Sequence, residues 1–296
     1  VGRLSDWRIE RAGAEDVAAP DPVELIPDEA DGEPVLDVGP DGTAALRFGR
    51  MARFGIDFVR RVVTVLEMHP QVNGATLEHL LHDHVAPRII AKSGQLVLHG
   101  SAVEIDGQLI LFIGETGSGK STLAAFLHTR GHRLLGDDAV VISETGGVFH
   151  GEAVYPSLRL FPESIAGVFG EPIPTEAMAF YSDKRHVTAF TESARASQHF
   201  PLALVYVLAG SETGIEINRF TPADACMVMI EHSFAFDPQD AASAARRLII
   251  ASRLAARVPC HELAFPNGFD LLRDIEARIL AALHQVAAPP QQEQST

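Results

Sequence analysis

Nine consecutive residues, Gly114-Glu115-Thr116-Gly117-Ser118-Gly119-Lys120-Ser121-Thr122, have the composition of a loop built to hold phosphate. The glycines free the backbone to wrap an anion with several N–H groups pointing inward, and Lys120 and Ser121 follow at P-loop spacing. In that chemistry the Lys120 ammonium neutralises the β and γ phosphates of ATP, and the Ser121 hydroxyl ligates Mg²⁺. A second feature, Asp137-Asp138, stands a short way downstream. Adjacent carboxylates beside bound phosphate have two tasks open to them: one holds the metal, and the other accepts the proton of an attacking hydroxyl. We expect Asp137 as the general base and Asp138 with Ser121 at the metal. If the strand carrying the pair continues regularly, alternation lets only one of them face the site.

Such a loop has to hang between a strand and a helix. The apolar run QLILFIGE leads into it, and a helix expected from about Lys120 to His128 aims its positive end at the phosphates. QLVLHGSAVEI precedes that run across Asp106-Gly107, a strong hairpin signal. RLLGDD, AVVISE, LALVYVLAG, GIEINRF and PCHELAF read as further strands. Helices are expected from Pro222, from Pro238 to Ala256, and from Phe269 to about Val286. Interleaved strands and helices give an α/β class, and the hairpin before the loop makes its sheet mixed. Upstream, residues 43–94 read as a small N-terminal α+β unit. It has two or three strands between Thr43 and Met68, then a helix capped at Thr76, kinked at Pro87 and closed at Gly94. The expected organisation is a loosely ordered arm over 1–42, the α+β unit over 43–94, a P-loop domain over 95–288 and a disordered tail over 289–296.

Composition narrows the partners. With 296 residues, 46% of them hydrophobic, the chain can bury a core, and a net charge of -15 argues against nucleic acid or an anionic membrane surface as ligand. Cys226 and Cys260 make no disulfide framework and read as packing residues of a reducing compartment. No apolar run reaches the roughly 18 residues needed to span a bilayer, and no charged-then-apolar leader opens the chain, so a soluble cytoplasmic protein is expected. His79, His82 and His84, with Glu78 and Asp83 among them, suggest a metal cluster, but a spacing of three and then two does not place all three histidines on one helical face, and the group reads as a solvated helix face. Arg47, Arg50, Arg53, Arg60 and Arg61, interleaved with Phe48, Phe54 and Phe58, read as strand edges or a contact for an acidic peptide.

The run LHGSAVEIDGQLILFIGETGSGKSTLAAFLHTRGHRLLGDDAVVI, from Leu98 to Ile142, resembles the core of the HPr kinase/phosphorylase family. His99-Gly100 before the loop, Arg130-Gly131-His132 after its helix and Asp137-Asp138 at the next strand end stand in the family's order and spacing. The resemblance implies an HPr kinase / phosphoenolpyruvate carboxykinase-like core, a catalytic Asp pair, His99 near the transferred phosphate, and ATP with Mg²⁺. Because family members often assemble, it also implies that a homo-oligomer is open. The second, glycine-rich signature and the flexible basic loop of HPr kinases have no recognisable counterpart. In their place stand YPSLRLFPES, with Arg159, and FYSDKRHV, with Lys184 and Arg185, which offer the cations that a metaphosphate-like transition state requires. The chain is more similar to shorter HPr-kinase-like proteins, some of them similar to kinases associated with lasso-peptide clusters. That likeness implies a hydroxyl acceptor, such as a serine, on a peptide or small protein. The alternatives are a non-catalytic ATP-binding regulatory protein and a small-molecule kinase of the same fold.

Overall fold

The strand that leads into the phosphate loop is apolar along its whole length because both of its faces are covered. In the computed structural model, which describes residues 6–12, 34–39, 43–188, 190 and 199–287, Ile110 and Phe112 of this strand enter one core while Leu109, Leu111 and Ile113 enter another. A two-sided apolar run of this kind belongs to a central strand with helices on both faces.

The chain begins with a separate sheet. Strands β1 (Arg8–Arg11), β2 (Val35–Val38), β3 (Ala44–Phe48), β4 (Ala52–Asp57) and β5 (Val62–Met68) pair in the order β1-β5-β4-β3-β2. The last four form an antiparallel meander, and β1 adds parallel to β5. Two edge strands therefore come from the segment expected to be a loose arm; most of the remainder of that arm, and the tail 289–296, lie outside the described residues. Arg47 lies 3.2 Å from Asp37, and Arg53 lies 3.2 Å from Glu67, so these cations are neutralised within their own sheet.

One helical run covers this sheet. It consists of α1 (Gly74–His79), a π-helical turn over Leu80–Val85, and α2 (Ala86–Lys92). Leu77, Leu80, Leu81, Val85 and Ile89 pack with Phe54, Ile56 and Val63. The cap is Asn73, not Thr76: the Asn73 side chain accepts the Thr76 N–H at 2.9 Å. The Thr76 hydroxyl is then free to accept the N–H of Phe180 at 3.1 Å, which ties the unit to a later hairpin. Pro87 lies in the first turn of α2, directly after the π-helical turn.

The main sheet starts with β6 (Leu96–Leu98), β7 (Gly100–Ile105), β8 (Gln108–Ile113), β9 (Arg133–Gly136), β10 (Val140–Thr145) and β11 (Val148–Ala153). A small antiparallel sheet, β12 (Arg159–Leu160), β13 (Thr175–Ala179) and β14 (Ser182–Val187), intervenes before β15 (Phe200–Gly210), β16 (Glu216–Arg219) and β17 (Cys260–Phe265) rejoin the main one. The sheet is mixed as expected, because β15 runs parallel to both β8 and β17 while β7 and β8 form the antiparallel hairpin. Helix α3 (Lys120–Thr129) and α7 (Leu272–Ala287) cover one face through Leu123, Leu127, Ile275 and Ile279. On the other face lie α5 (Pro222–Glu231) and α6 (Ala241–Arg257), through Met229, Ala251 and Leu254. Helix α4 (Pro162–Phe169) follows β12. Cys226 and Cys260 are free, buried thiols in the second core. Among the described residues no helix is long and apolar enough to cross a membrane.

Candidate active site at the phosphate loop

The loop between β8 and α3 turns where only glycine fits. Gly114 has φ 138°, and a Cβ there would stand 2.8 Å from the Leu208 carbonyl oxygen of β15. Lys120 opens α3 and curls back so that its Nζ donates to the carbonyls of Gly114 and Glu115, at 2.8 Å each. Burial lowers its pKa, and the charges of Asp137 and Asp138 work against that shift. The Thr122 hydroxyl lies 3.0 Å from that of Ser164 on α4, and Ser118 Oγ is buried without a partner among the described residues.

The acidic pair lies just beyond the end of its strand, so the condition for regular alternation is not met. Strand β9 stops at Gly136 and Asp138 adopts φ 74°; Asp137 is buried, while Asp138 is only partly buried and lines the site. Asp137 lies behind: its Oδ1 accepts the Ser101 hydroxyl at 2.5 Å, Ser121 adds a second stabilising contact, and its Oδ2 is buried with no partner among the described residues. Burial first, then the neighbouring charge of Asp138, pushes its pKa up to about 6. Asp138 lies in front, where its Oδ2 accepts from Arg159 Nη1 at 2.5 Å. Burial opposes its ionisation, but Arg159, Lys184 and His99 together hold it well below the usual carboxylate range.

His99 occupies a break, not a strand interior. The expected continuous strand divides into β6 and β7 around it. Its N–H donates to the His232 carbonyl at 2.7 Å, and the next N–H, that of Gly100, reaches the Asp138 carbonyl at 3.3 Å. Gly100 has no room for a side chain, since a Cβ would sit 2.4 Å from the Phe112 carbonyl oxygen. Burial lowers the His99 pKa, partly offset by Asp138, and favours the neutral ring.

Of the cations expected from β12 and β14, two converge and one does not. The register pairs Arg159 with His186, which places Lys184 on the same face of the small sheet as Arg159. Lys184 Nζ lies over the Phe161 ring at 5.4 Å and lines the site. Arg185 faces away, with Nε donating to Thr175 Oγ1 at 3.5 Å, and is not part of the site wall. Thr116 to Thr122, His99, Asp138, Arg159 and Lys184 line a cavity of about 460 Å³ together with Phe265, Asn267 and Phe269.

The histidine-rich helix is not a solvated face. Asp83 is 6% exposed and reaches Arg159 Nη1 at 2.7 Å, while its other contact is a short hydrogen bond from His79 Nδ1. His84 is partly buried, and desolvation, reinforced by His79 and Arg88, drives its pKa well down. The π-helical turn is the cause. Its wider winding carries His84 back beside His79, with ring centroids 5.1 Å apart, whereas α-helical spacing spreads these positions around the helix. No group of three His, Cys, Asp or Glu suited to a metal ion occurs among the described residues.

Comparison with known proteins locates the resemblance. Residues 91–158 match the family described as HPr Serine kinase C-terminal domain. HPr kinase/phosphorylase of Clostridium acetobutylicum is 50% identical over 75 residues, which are 25% of this chain and 25% of that protein. The protein of the same name from Mycoplasmopsis pulmonis is 43% identical over 63 residues, 21% of this chain and 20% of its own length. The chain thus spans a quarter or less of the curated relatives cited. Among solved structures, the Hpr(Ser) kinase/phosphatase from Coxiella burnetii is similar at 16% identity and TM-score 0.38, over 65% of this chain and 99% of that one. The matched segment contains His99, the phosphate loop and the acidic pair; Asp83, Arg159 and Lys184 lie outside it.

Proposed function

With the phosphate-loop segment HPr-kinase-like, we propose that this chain is an ATP-dependent kinase that transfers the γ-phosphoryl group to a hydroxyl of a peptide or small protein, a serine by preference. The reading is carried by one observation. A loop of phosphate-binding sequence, the Asp138 carboxylate and two cations from separate elements line a single cavity. Phosphoryl transfer needs little else than positioning and charge compensation, and this cavity offers both.

The P-loop amides and Lys120 hold the triphosphate, and the Ser118 hydroxyl is available to a phosphate oxygen. Ser121 and Asp137 would hold Mg²⁺: a buried carboxylate oxygen without a partner, next to a P-loop serine, suits a hard cation. When bound, the metal neutralises charge on the β and γ phosphates. Asp138 faces the cavity and takes the role of proton acceptor. This reverses the order expected from sequence, and the support is the position of each carboxylate relative to Ser121 and to open space. The acceptor oxygen bonds to the γ-phosphorus, the bond to the β–γ bridging oxygen breaks, the proton passes to Asp138, and ADP leaves with the electron pair. Arg159 and Lys184 meet the charge spread over the transferred group, and both are drawn from Asp138 towards it, which raises that carboxylate's affinity for the proton. Neutral His99 lies at the cavity wall as a hydrogen-bonding group.

The decisive experiment incubates the chain with Mg²⁺, ATP labelled in the γ position, and a panel of serine peptides and small proteins. Labelled product supports a kinase; ATP binding with no product on any acceptor, and none released as phosphate, marks a nucleotide-binding regulator. The two basic neighbours give a finer check. Lys184→Met is expected to lower transfer on the order of 10²-fold, as for loss of a transition-state donor, while Arg185→Met stays within about twofold, as for an outward-facing residue. Equal effects at the two positions, read by initial rates, would remove Lys184 from the proposed site.

A further inference from the structure

One nitrogen of Arg159 carries two carboxylates. Nη1 stands 2.5 Å from Asp138 Oδ2 and 2.7 Å from Asp83 Oδ2, with the Arg159 and Asp83 side chains each 6% exposed. Asp138 belongs to the cavity wall, but Asp83 does not. It comes from the π-helical turn of the N-terminal unit, where His79 Nδ1 contacts the same carboxylate oxygen that meets Arg159. The turn itself is fixed by Leu80, Leu81 and Val85, all buried in the core beneath the five-stranded sheet. Asp83 is therefore a rigid anchor, held from below by packing and from the side by His79.

An arginine side chain has many rotamers, and its value to a transition state depends on its being held in one of them before charge develops. Asp138 alone cannot supply that restraint. In the kinase reading it must release the guanidinium towards the phosphoryl group and turn to the acceptor hydroxyl. A second carboxylate, outside the reacting space, keeps the guanidinium at the cavity edge while that exchange takes place. We infer that Asp83 is a positioning residue for phosphoryl transfer, acting from the N-terminal unit through Arg159 without touching substrate. The inference rests on the kinase reading of the cavity. It assigns a part in the chemistry to a helix that lies outside the segment matched to the HPr kinase family.

The test compares two ligands on the full chain by calorimetry: Mg·ATP, and Mg·ADP with fluoroaluminate, which mimics the phosphoryl group in transit. Asp83→Asn is expected to weaken the fluoroaluminate complex about 10- to 100-fold and Mg·ATP no more than about threefold, since only the transition-state mimic calls on a positioned Arg159. Arg159→Met should show the same pattern, and adding Asp83→Asn to it should cost no more than about twofold further, because the two changes break one unit. Asp83→Glu, which keeps the charge, should recover part of the loss and also serves if the Asn variant does not fold. A merely structural Asp83 would weaken both ligands alike, and its effect would persist in full on the Arg159→Met background. Either outcome, or unchanged fluoroaluminate affinity in both Asp83 variants, overturns the inference. Failure of the unsubstituted protein to form the fluoroaluminate complex while binding Mg·ATP would instead overturn the kinase reading, and the inference with it.

Discussion

Asp138→Asn should lower phosphoryl transfer by about 10²- to 10⁴-fold, the range for loss of a positioned proton acceptor, while the dissociation constant for Mg·ATP stays within about threefold. Asn keeps the shape and can still accept from Arg159, so the clamp on the guanidinium survives, but it cannot take the hydroxyl proton. What separates the two carboxylates is that Asp138 lines the cavity, while Asp137 is 3% exposed and bonded to Ser101. Initial rates with labelled ATP and an acceptor, beside calorimetric titration of Mg·ATP, make the comparison. Transfer that survives Asp138→Asn but disappears in Asp137→Asn without loss of metal dependence would restore the opposite division of roles.

The second large effect concerns Asp137, and it appears in stability as well as binding. Its folded-state pKa of about 6 lies above the roughly 3.9 of an unfolded aspartate. The folded protein therefore binds the proton more tightly, and stability is lost as pH rises from about 4 through 6. Above that window the ligand-free protein carries a buried, half-partnered charge. A shift of this size corresponds to about 1–3 kcal/mol. Asp137→Asn should stabilise the ligand-free chain by that amount at pH 8, and the gain should shrink below pH 5. The same substitution should abolish the added thermal stability that Mg·ATP gives the unsubstituted protein relative to metal-free ATP. Urea melts at several pH values and thermal melts with and without Mg²⁺ read both effects. A variant less stable than the parent at pH 8, or one that keeps its Mg²⁺ response, would show that Asp137 is not the metal-facing carboxylate.

The parts of the site that were legible in the sequence are those whose chemistry is local. The phosphate loop needs glycines, a lysine and a serine at fixed spacing, and the Asp106-Gly107 turn fixes the hairpin register Ile105 to Gln108. The acidic pair was visible, but its geometry was not, because strand alternation fails where β9 ends and Asp138 takes a left-handed backbone conformation. The division of Lys184 from Arg185 depended on β14 pairing with β12, a tertiary fact that no local pattern carries. Asp83 was passed over for a clearer reason. An α-helical projection already puts His79 and Asp83 on one face and spreads only His84 away, which the π-helical turn brings back; the signal that was missing is the partner of Asp83, Arg159, which lies far along the chain. Asn73 is the cap because the helix begins at Gly74, one turn earlier than expected, which puts Thr76 inside the first turn with its N–H and hydroxyl both donating to Asn73 Oδ1.

The shared guanidinium also bears on how such a chain can change over time. Asp83 and Arg159 are almost wholly buried, with Asp138 at the cavity edge beside them, and breaking a buried ion pair costs about 3–5 kcal/mol. Drift at any of the three is therefore tolerated only alongside compensating drift at the others. Because one of them belongs to the N-terminal unit, that unit cannot be exchanged like a detachable targeting module. Recombination between relatives would have to carry both parts across together, and a chimaera joined near Gly94 would inherit a mismatched cluster unless its donors agreed at Asp83.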